Sequence, residues 1–203
     1  MSDRLSAAAL IDLVLDEGSW ESWDSPPERG PVSEQYAAEL RAAEEKTGLD
    51  ESVVTGAGLM RGRRVAVVAC EFRFLAGSIG VAAADRLVAA VERATAEGLP
   101  LLAAPVSGGT RMQEGTVAFV QMVKISAAIA AHKTAGLPYL VYLRNPTTGG
   151  VMDSQGSTSG TSSSTGFGIS SRSRFGASST VSARSRMSAI SPGGTTASTS
   201  PCA

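Results

Sequence analysis

Met152 is the last position at which this chain contributes regularly to a hydrophobic pattern. From Asp153 to Ala203 there is no Leu and no Lys, about half of the residues are Ser or Thr, and the remaining apolar residues are scattered. Such a composition buries too little apolar surface to offset the entropy of ordering the chain, so it falls in the low-complexity class. Whatever folds must therefore be built from the first three quarters of a 203-residue chain, enough for one domain. The expected organisation is a helical segment over 1–50, an α/β body over 51–152 and a disordered Ser/Thr/Gly-rich tail over 153–203.

Within the body, apolar runs and helical patterns alternate. Leu5 to Leu15 and Ser33 to Lys46 read as helices, joined by Trp20–Asp24 and a loop with Pro26, Pro27 and Pro31, and together they form an N-terminal adaptor. Val53–Leu59 and Arg63–Cys70 read as a hairpin turning at Gly62, and Val81–Glu97 as a helix ended by Gly98 and Pro100. Leu101–Val106 and Leu137–Leu143 are near-continuous apolar runs, the pattern of buried strands. Between them, Thr110 to about Ala135 is apolar on nearly all sides, with Val117, Val120, Val123, Ile125 and Ile129, which predicts a buried helix. Strands alternating with helices predict an α/β layered fold.

Two of the strands run into paired glycines. Ser107-Gly108-Gly109-Thr110-Arg111-Met112-Gln113-Glu114-Gly115 reads as a glycine turn opening a helix, with Thr110 and Gln113 at capping-box spacing and Glu114 in the first turn. Arg144-Asn145-Pro146 leads into Thr147-Thr148-Gly149-Gly150. Glycines bring bare amides up to a ligand, and a helix N-terminus adds unsatisfied N–H groups. If the strands are neighbours, amides from the two turns can converge on one carbonyl oxygen as an oxyanion hole. A phosphate loop is disfavoured, because no Gly-Lys-Ser/Thr follows the glycines.

Charge and composition exclude several classes. The net charge is −1 and the segment from Val151 onward carries +3, which leaves an acidic body at −4 with no electrostatic footprint for nucleic acid. Arg172, Arg174, Arg184 and Arg186 are too sparse for an RNA-binding Arg/Ser segment. With only Cys70 and Cys202, neither a disulfide framework nor a zinc ribbon forms within one chain, and no metal site is expected. Ala7–Leu15 is too short to span a bilayer and no signal peptide is read, so a cytoplasmic protein is expected. Cys70 reads as a small buried hydrophobe and His132, the lone histidine, as a structural residue near a helix C-terminus. Lys124 and Arg111 stay open between ligand contact and structural pairing.

Phe72-Arg73-Phe74-Leu75-Ala76-Gly77-Ser78-Ile79-Gly80, the Ser107–Gly115 stretch and Asn145–Gly150 together resemble the carboxyltransferase β component of biotin-dependent acyl-CoA carboxylases, most of all the bacterial acetyl-CoA carboxylase type. The resemblance spans about Leu5 to Met152. It implies a crotonase-like spiral of ββα units, here incomplete, and transfer of the carboxyl group of carboxybiotin to acetyl-CoA to give malonyl-CoA for fatty acid synthesis. It implies that amides of Gly108, Gly109, Gly149 and Gly150 stabilise the enolate, and that Phe74, Ala76, Gly77, Ser78, Ser107 and Arg111 contact substrate. No covalently bound cofactor is implied. The implied partners are a biotin carrier protein, biotin carboxylase and an α-type carboxyltransferase half, in an oligomer when complete. No catalytic side chain is required, because the biotin ureido anion is expected to act as base.

Two departures qualify the resemblance. Ala76 stands where Gly is common, and Asp153-Ser154-Gln155-Gly156 follows Val151-Met152 where the family continues with small and aromatic residues. The abrupt loss of pattern is read as truncation or a coding-frame disruption near Met152 to Gly156, which would leave apolar faces of the remaining units uncovered. Two other classes stay open: another acyl-CoA enzyme on the same scaffold, such as a malonyl-type decarboxylase, and a non-catalytic assembly fragment.

Overall fold

The computed structural model describes residues 5–156; the expected tail lies outside them apart from its first four residues. Five strands form one sheet in chain order: β1 (Glu21–Ser22), β2 (Val53–Met60), β3 (Arg63–Cys70), β4 (Leu101–Ala104) and β5 (Tyr139–Val141). β1, β2 and β3 are antiparallel, whereas β3, β4 and β5 run parallel. The β2–β3 hairpin turns at Arg61 and Gly62, both with positive φ, the conformation that matches the twist of the strands it joins.

Parallel strands need long crossovers, and helices supply them: α3 (Val81–Ala96) joins β3 to β4, and α4 (Gly115–Thr134) joins β4 to β5. α1 (Ala7–Val14) and α2 (Glu34–Thr47) precede the hairpin, and α5 (Gly149–Gly156) follows β5. The apolar run of β3 is continuous because both its faces are covered. Ala66, Val68 and Cys70 pack with α3 and α4, while Val65, Val67 and Ala69 pack under Leu10, Ile11 and Leu15 of the α1 side. The first fifty residues also place a strand in the sheet. A Cβ at Gly56 would lie 2.3 Å from the Glu21 carbonyl oxygen, so β1 seats against bare backbone.

Three expectations about the elements are corrected. The helix expected from Thr110 starts at Gly115, after a single 3-10 turn at Met112–Glu114, and neither has a side-chain cap. Thr110 is instead held in a bridge to Ile79. α4 is not buried all round: Ala118, Met122, Ile125 and Ile129 face the core, whereas Val117, Phe119, Val120 and Val123 are exposed. β5 is an edge strand with Leu140 half exposed rather than a buried one. The stretch Met112–Thr134 is long and apolar enough to cross a membrane, although no span was expected there. In this fold it packs against α3 and α5. The helical pattern also runs past Met152 to Gly156, with Val151, Ser154 and Gln155 buried.

Candidate functional site

β3, β4 and β5 end on the same side of the sheet, and the three glycine-bearing loops follow their carboxyl ends. Open α/β sheets bind ligands in that position. The loops are stitched together by main-chain hydrogen bonds. Ile79 N–H donates to Gly109 O (3.0 Å) and Arg111 N–H to Ile79 O (2.9 Å). Ser107 N–H donates to Pro146 O (2.7 Å) and Thr148 N–H to Ser107 O (3.1 Å). Gly77, at φ 64°, lies so close to the second loop that an added Cβ would sit 2.1 Å from Val106 O. The two Gly-Gly turns are adjacent, since a Cβ at Gly149 would lie 3.9 Å from Gly109 Cα.

Ala76, Gly108, Thr148 and Gly149 form an exposed rim, with Gly77, Ser107 and Gly109 buried beneath it. Leu75 and Ala76 both have positive φ, at 43° and 56°. A glycine at position 76 would adopt that conformation without steric cost, so Ala76 carries backbone strain that the residue common at this position avoids.

The donor set differs from the one expected. Gly108 N–H is taken by Ala76 O (2.9 Å) and Gly109 N–H by Ser107 Oγ (3.0 Å), so in this arrangement those amides hold the turn instead of facing a ligand. Gly149 and Gly150 open α5, where first-turn amides have no carbonyl four residues back within the helix. Neither amide has an acceptor among the described residues. The open donors therefore belong to the second Gly-Gly turn, and the first shapes its surroundings.

Two residues expected to meet substrate are buried and engaged within the fold. Phe74 is fully buried with Tyr36, Leu40 and Ala43. Arg111 is also fully buried and pairs with both carboxylate oxygens of Glu51, at 2.5 and 3.0 Å. It donates further to Ser78 O (2.8 Å), Ser78 Oγ (3.3 Å) and Tyr36 Oη (3.2 Å). Burial alone would push Glu51 up and Arg111 down. Their mutual hydrogen bonds and charge reverse both, holding the Glu51 carboxyl below its usual range and Arg111 above its own. Tyr36, pushed up to about 12 by burial and by its bond to Glu114, donates to Glu114 Oε1 (2.5 Å). Glu114 Oε2 accepts from Val81 N–H (2.6 Å), so this carboxylate caps α3 and not the helix that follows it.

The Glu51 and Tyr36 members of this network were not anticipated, because nothing local in their sequence marks them as partners of a residue 60 or 75 positions away. Lys124 is exposed, 3.8 Å from Asp85. His132 is buried, with Nδ1 2.9 Å from Thr95 Oγ1 and Nε2 3.3 Å from Pro138 O, and burial lowers its pKa. Cys70 is buried, its thiol pushed up to about 11 by desolvation. Two surface hollows lie away from the glycine turns. One, of about 620 Å³, runs between α3 and α4; the other, of about 500 Å³, lies beside Tyr36 and Glu114.

The sequence matches the carboxyl transferase domain over residues 3–158. It is 69% identical over 154 residues to the probable biotin-dependent acyl-coenzyme A carboxylase beta3 subunit of Mycobacterium tuberculosis (strain ATCC 25618 / H37Rv), covering 76% of this chain and 31% of that protein. It is 41% identical over 153 residues to the acetyl-coenzyme A carboxylase carboxyl transferase subunit beta of Sinorhizobium medicae (strain WSM419), covering 73% of this chain and 50% of that one. The chain thus spans about a third to a half of the curated relatives it matches. Among solved structures, transcarboxylase 12S with hydrolysed methylmalonyl-coenzyme A bound aligns at TM-score 0.64 and 26% identity, covering 74% of this chain and 28% of that one. A Pseudomonas malonate decarboxylase hetero-tetramer in complex with malonate aligns at 0.57 and 25%, covering 74% and 55%. These likenesses bear out the crotonase-like α/β fold.

Proposed function

Because the chain belongs to the carboxyl transferase domain family, we propose that it forms part of the carboxyltransferase β component of a biotin-dependent acyl-CoA carboxylase, with acetyl-CoA as the acyl substrate and malonyl-CoA as the product. The observation that supports this most is the meeting of three glycine loops beyond the parallel strands, with the Gly149 and Gly150 amides open at the start of α5. Removing a proton from the α-carbon of a thioester turns its carbonyl into an enolate, and the barrier falls when preorganised donors meet the developing oxyanion. One such donor is worth about 3 kcal/mol. Gly149 and Gly150 are the proposed donors, while Gly108 and Gly109, tied to Ala76 and Ser107, hold the turn against which the thioester lies. Ser78 and Arg111 act one layer below by fixing the Phe72–Gly80 loop to Glu51.

Carboxybiotin on a carrier protein supplies the carboxyl group and, after releasing it, the base. His132 and Cys70 are both buried and engaged in the fold, so neither is placed to take the α-proton. The proposed partners are the biotin carrier protein, biotin carboxylase and an α-type carboxyltransferase half, in a cytoplasmic assembly that feeds fatty acid synthesis. The names of the relatives support the biotin-dependent acyl-CoA part of this proposal.

The test is malonyl-CoA formation from acetyl-CoA by the chain assembled with a biotinylated carrier and an α-type half. Gly150→Val, whose side chain would press on Met122 Cγ 3.1 Å from the new Cβ, is expected to lower the rate by about a hundredfold or more. An unchanged rate in an active preparation refutes the oxyanion assignment. The likeness to malonate decarboxylase favours a second reading, a decarboxylase, which would release CO2 from a malonyl thioester without any biotinylated carrier.

A further inference from the structure

We propose that Arg144 is a positioning residue for the carboxyl transfer site, fixing the third glycine loop (residues 145–150) to the points at which the other two loops leave the sheet. The inference rests on the reading of Gly149 and Gly150 as the open donors, which that loop presents.

The main chain of Arg144 closes the entry to the loop. Its N–H donates to Pro105 O (3.1 Å), just beyond β4, and its carbonyl accepts from Thr147 Oγ1 (2.6 Å), a hydroxyl that also lies 3.0 Å from Pro105 O. The half-buried side chain turns back across the strand ends. Nη1 donates to the carbonyl of Cys70, the last residue of β3 (2.9 Å), and lies 3.5 Å from that of Ala104, the last of β4. Nη2 donates to the carbonyl of Leu5, just ahead of α1.

Every one of these acceptors is main chain. Arg111, the other arginine of the site, is held by a carboxylate that raises its pKa, whereas burial pulls that of Arg144 down. A countercharge is thus not what holds Arg144 in place. A guanidinium presents its donors in a rigid planar fork, so bonding to carbonyls of separate segments sets the relative positions of their backbones. The first loop begins directly after Cys70, the second after Ala104 and the third after Arg144 itself. One side chain therefore ties the roots of all three, while the Ser107 main chain joins the second and third further along.

Without that tie the third loop is free to shift, and its amides with it. Displacements well below the length of a hydrogen bond are costly where donors must meet a developing charge. Because such donors bond the oxyanion more strongly than the ground-state carbonyl, the loss should fall on kcat and spare KM.

The experiment measures amide exchange in the full 203-residue chain and its Arg144→Ala and Arg144→Lys variants, then malonyl-CoA formation by each in the assembly with carrier and α-type half. In Arg144→Ala, exchange at Ser107 and Thr148, whose amides join the second and third loops, is expected to rise about tenfold, while Ile79 and Arg111, which join the first and second, stay within about twofold. The value of kcat should fall about tenfold or more, with KM for acetyl-CoA within about twofold. Arg144→Lys keeps the charge and a single donating group without the fork, and should recover part of both losses; where Arg144→Ala does not fold, Arg144→Lys carries the same comparison. Equal acceleration at all four amides, unchanged exchange at Thr148, or an unchanged kcat in a preparation with a loosened loop overturns the proposal. Exchange requires no turnover, so an inactive parent assembly counts against the catalytic reading, and the exchange pattern still decides whether Arg144 anchors the loop.

Discussion

Gly77→Ala tests whether the three loops depend on backbone contact. At φ 64° an alanine enters the left-handed region, which costs about 1–2 kcal/mol for an L-residue. Its methyl carbon would also lie 2.1 Å from Val106 O, an overlap with main chain that no rotamer relieves. Overpacking of that kind costs about 1–3 kcal/mol, so the expected loss is about 2–5 kcal/mol. Gly136→Ala is the control, because Gly136 has φ 76° and open space around its Cβ position. It carries the strain without the clash, and part of that strain is offset by about 0.4–1 kcal/mol through reduced freedom of the unfolded chain. Urea denaturation followed by fluorescence of Trp20 and Trp23 reads both variants. The Gly108 amide should also exchange faster in Gly77→Ala, as the Ala76 carbonyl that receives it is displaced. If the two variants differ by less than about 0.5 kcal/mol, within the error of such comparisons, the close approach of these loops is not what holds them.

Other outcomes follow from the buried groups. Arg111→Met leaves the Glu51 carboxylate without its main partner and should destabilise the fold by about 3–5 kcal/mol, measured by denaturant midpoint. Gln155 is buried with neither its Oε1 nor its Nε2 hydrogen-bonded; Gln155→Leu should raise stability by about 1–3 kcal/mol, and a lower melting temperature would contradict the burial. His132 titrates lower in the folded chain than its ordinary 6.5, so the unfolded chain binds a proton that the folded one resists. Stability is complete above about pH 6.5 and declines as pH falls through that value toward the folded pKa, a dependence that a His132→Asn variant should lack. Cys70 in the native protein should resist thiol alkylation at pH 8 and react only on unfolding, read by peptide mass spectrometry.

Hairpin, crossover helices and parallel strands were legible because each is encoded by short-range pattern. Gly62 marks the turn, Gly98 the end of α3, and the run Val65–Cys70 a strand covered on both faces. β1 was missed because two polar residues, Glu21 and Ser22, carry no strand pattern; the signal lies in Gly56, which clears the space for them. Exposure of α4 and β5 could not be read from their composition, since an apolar run looks the same whether or not its neighbours are present. The two Gly-Gly turns lie side by side, as adjacency of their strands allows. Which of their amides are bonded within the fold was not legible, because that depends on the Ala76 carbonyl and the Ser107 hydroxyl, acceptors fixed by tertiary structure.

Ser107 holds the second and third loops with a single residue: its N–H and C=O both engage the third loop, and its hydroxyl takes the Gly109 amide. Loops so joined cannot open one at a time, and a length change in any of them would have to be matched in its neighbours. The floor of the site is accordingly a poor place for inherited variation. Differences between related chains should accumulate at the rim positions, such as Ala76 and Thr148, where a side chain can change without moving the frame below it.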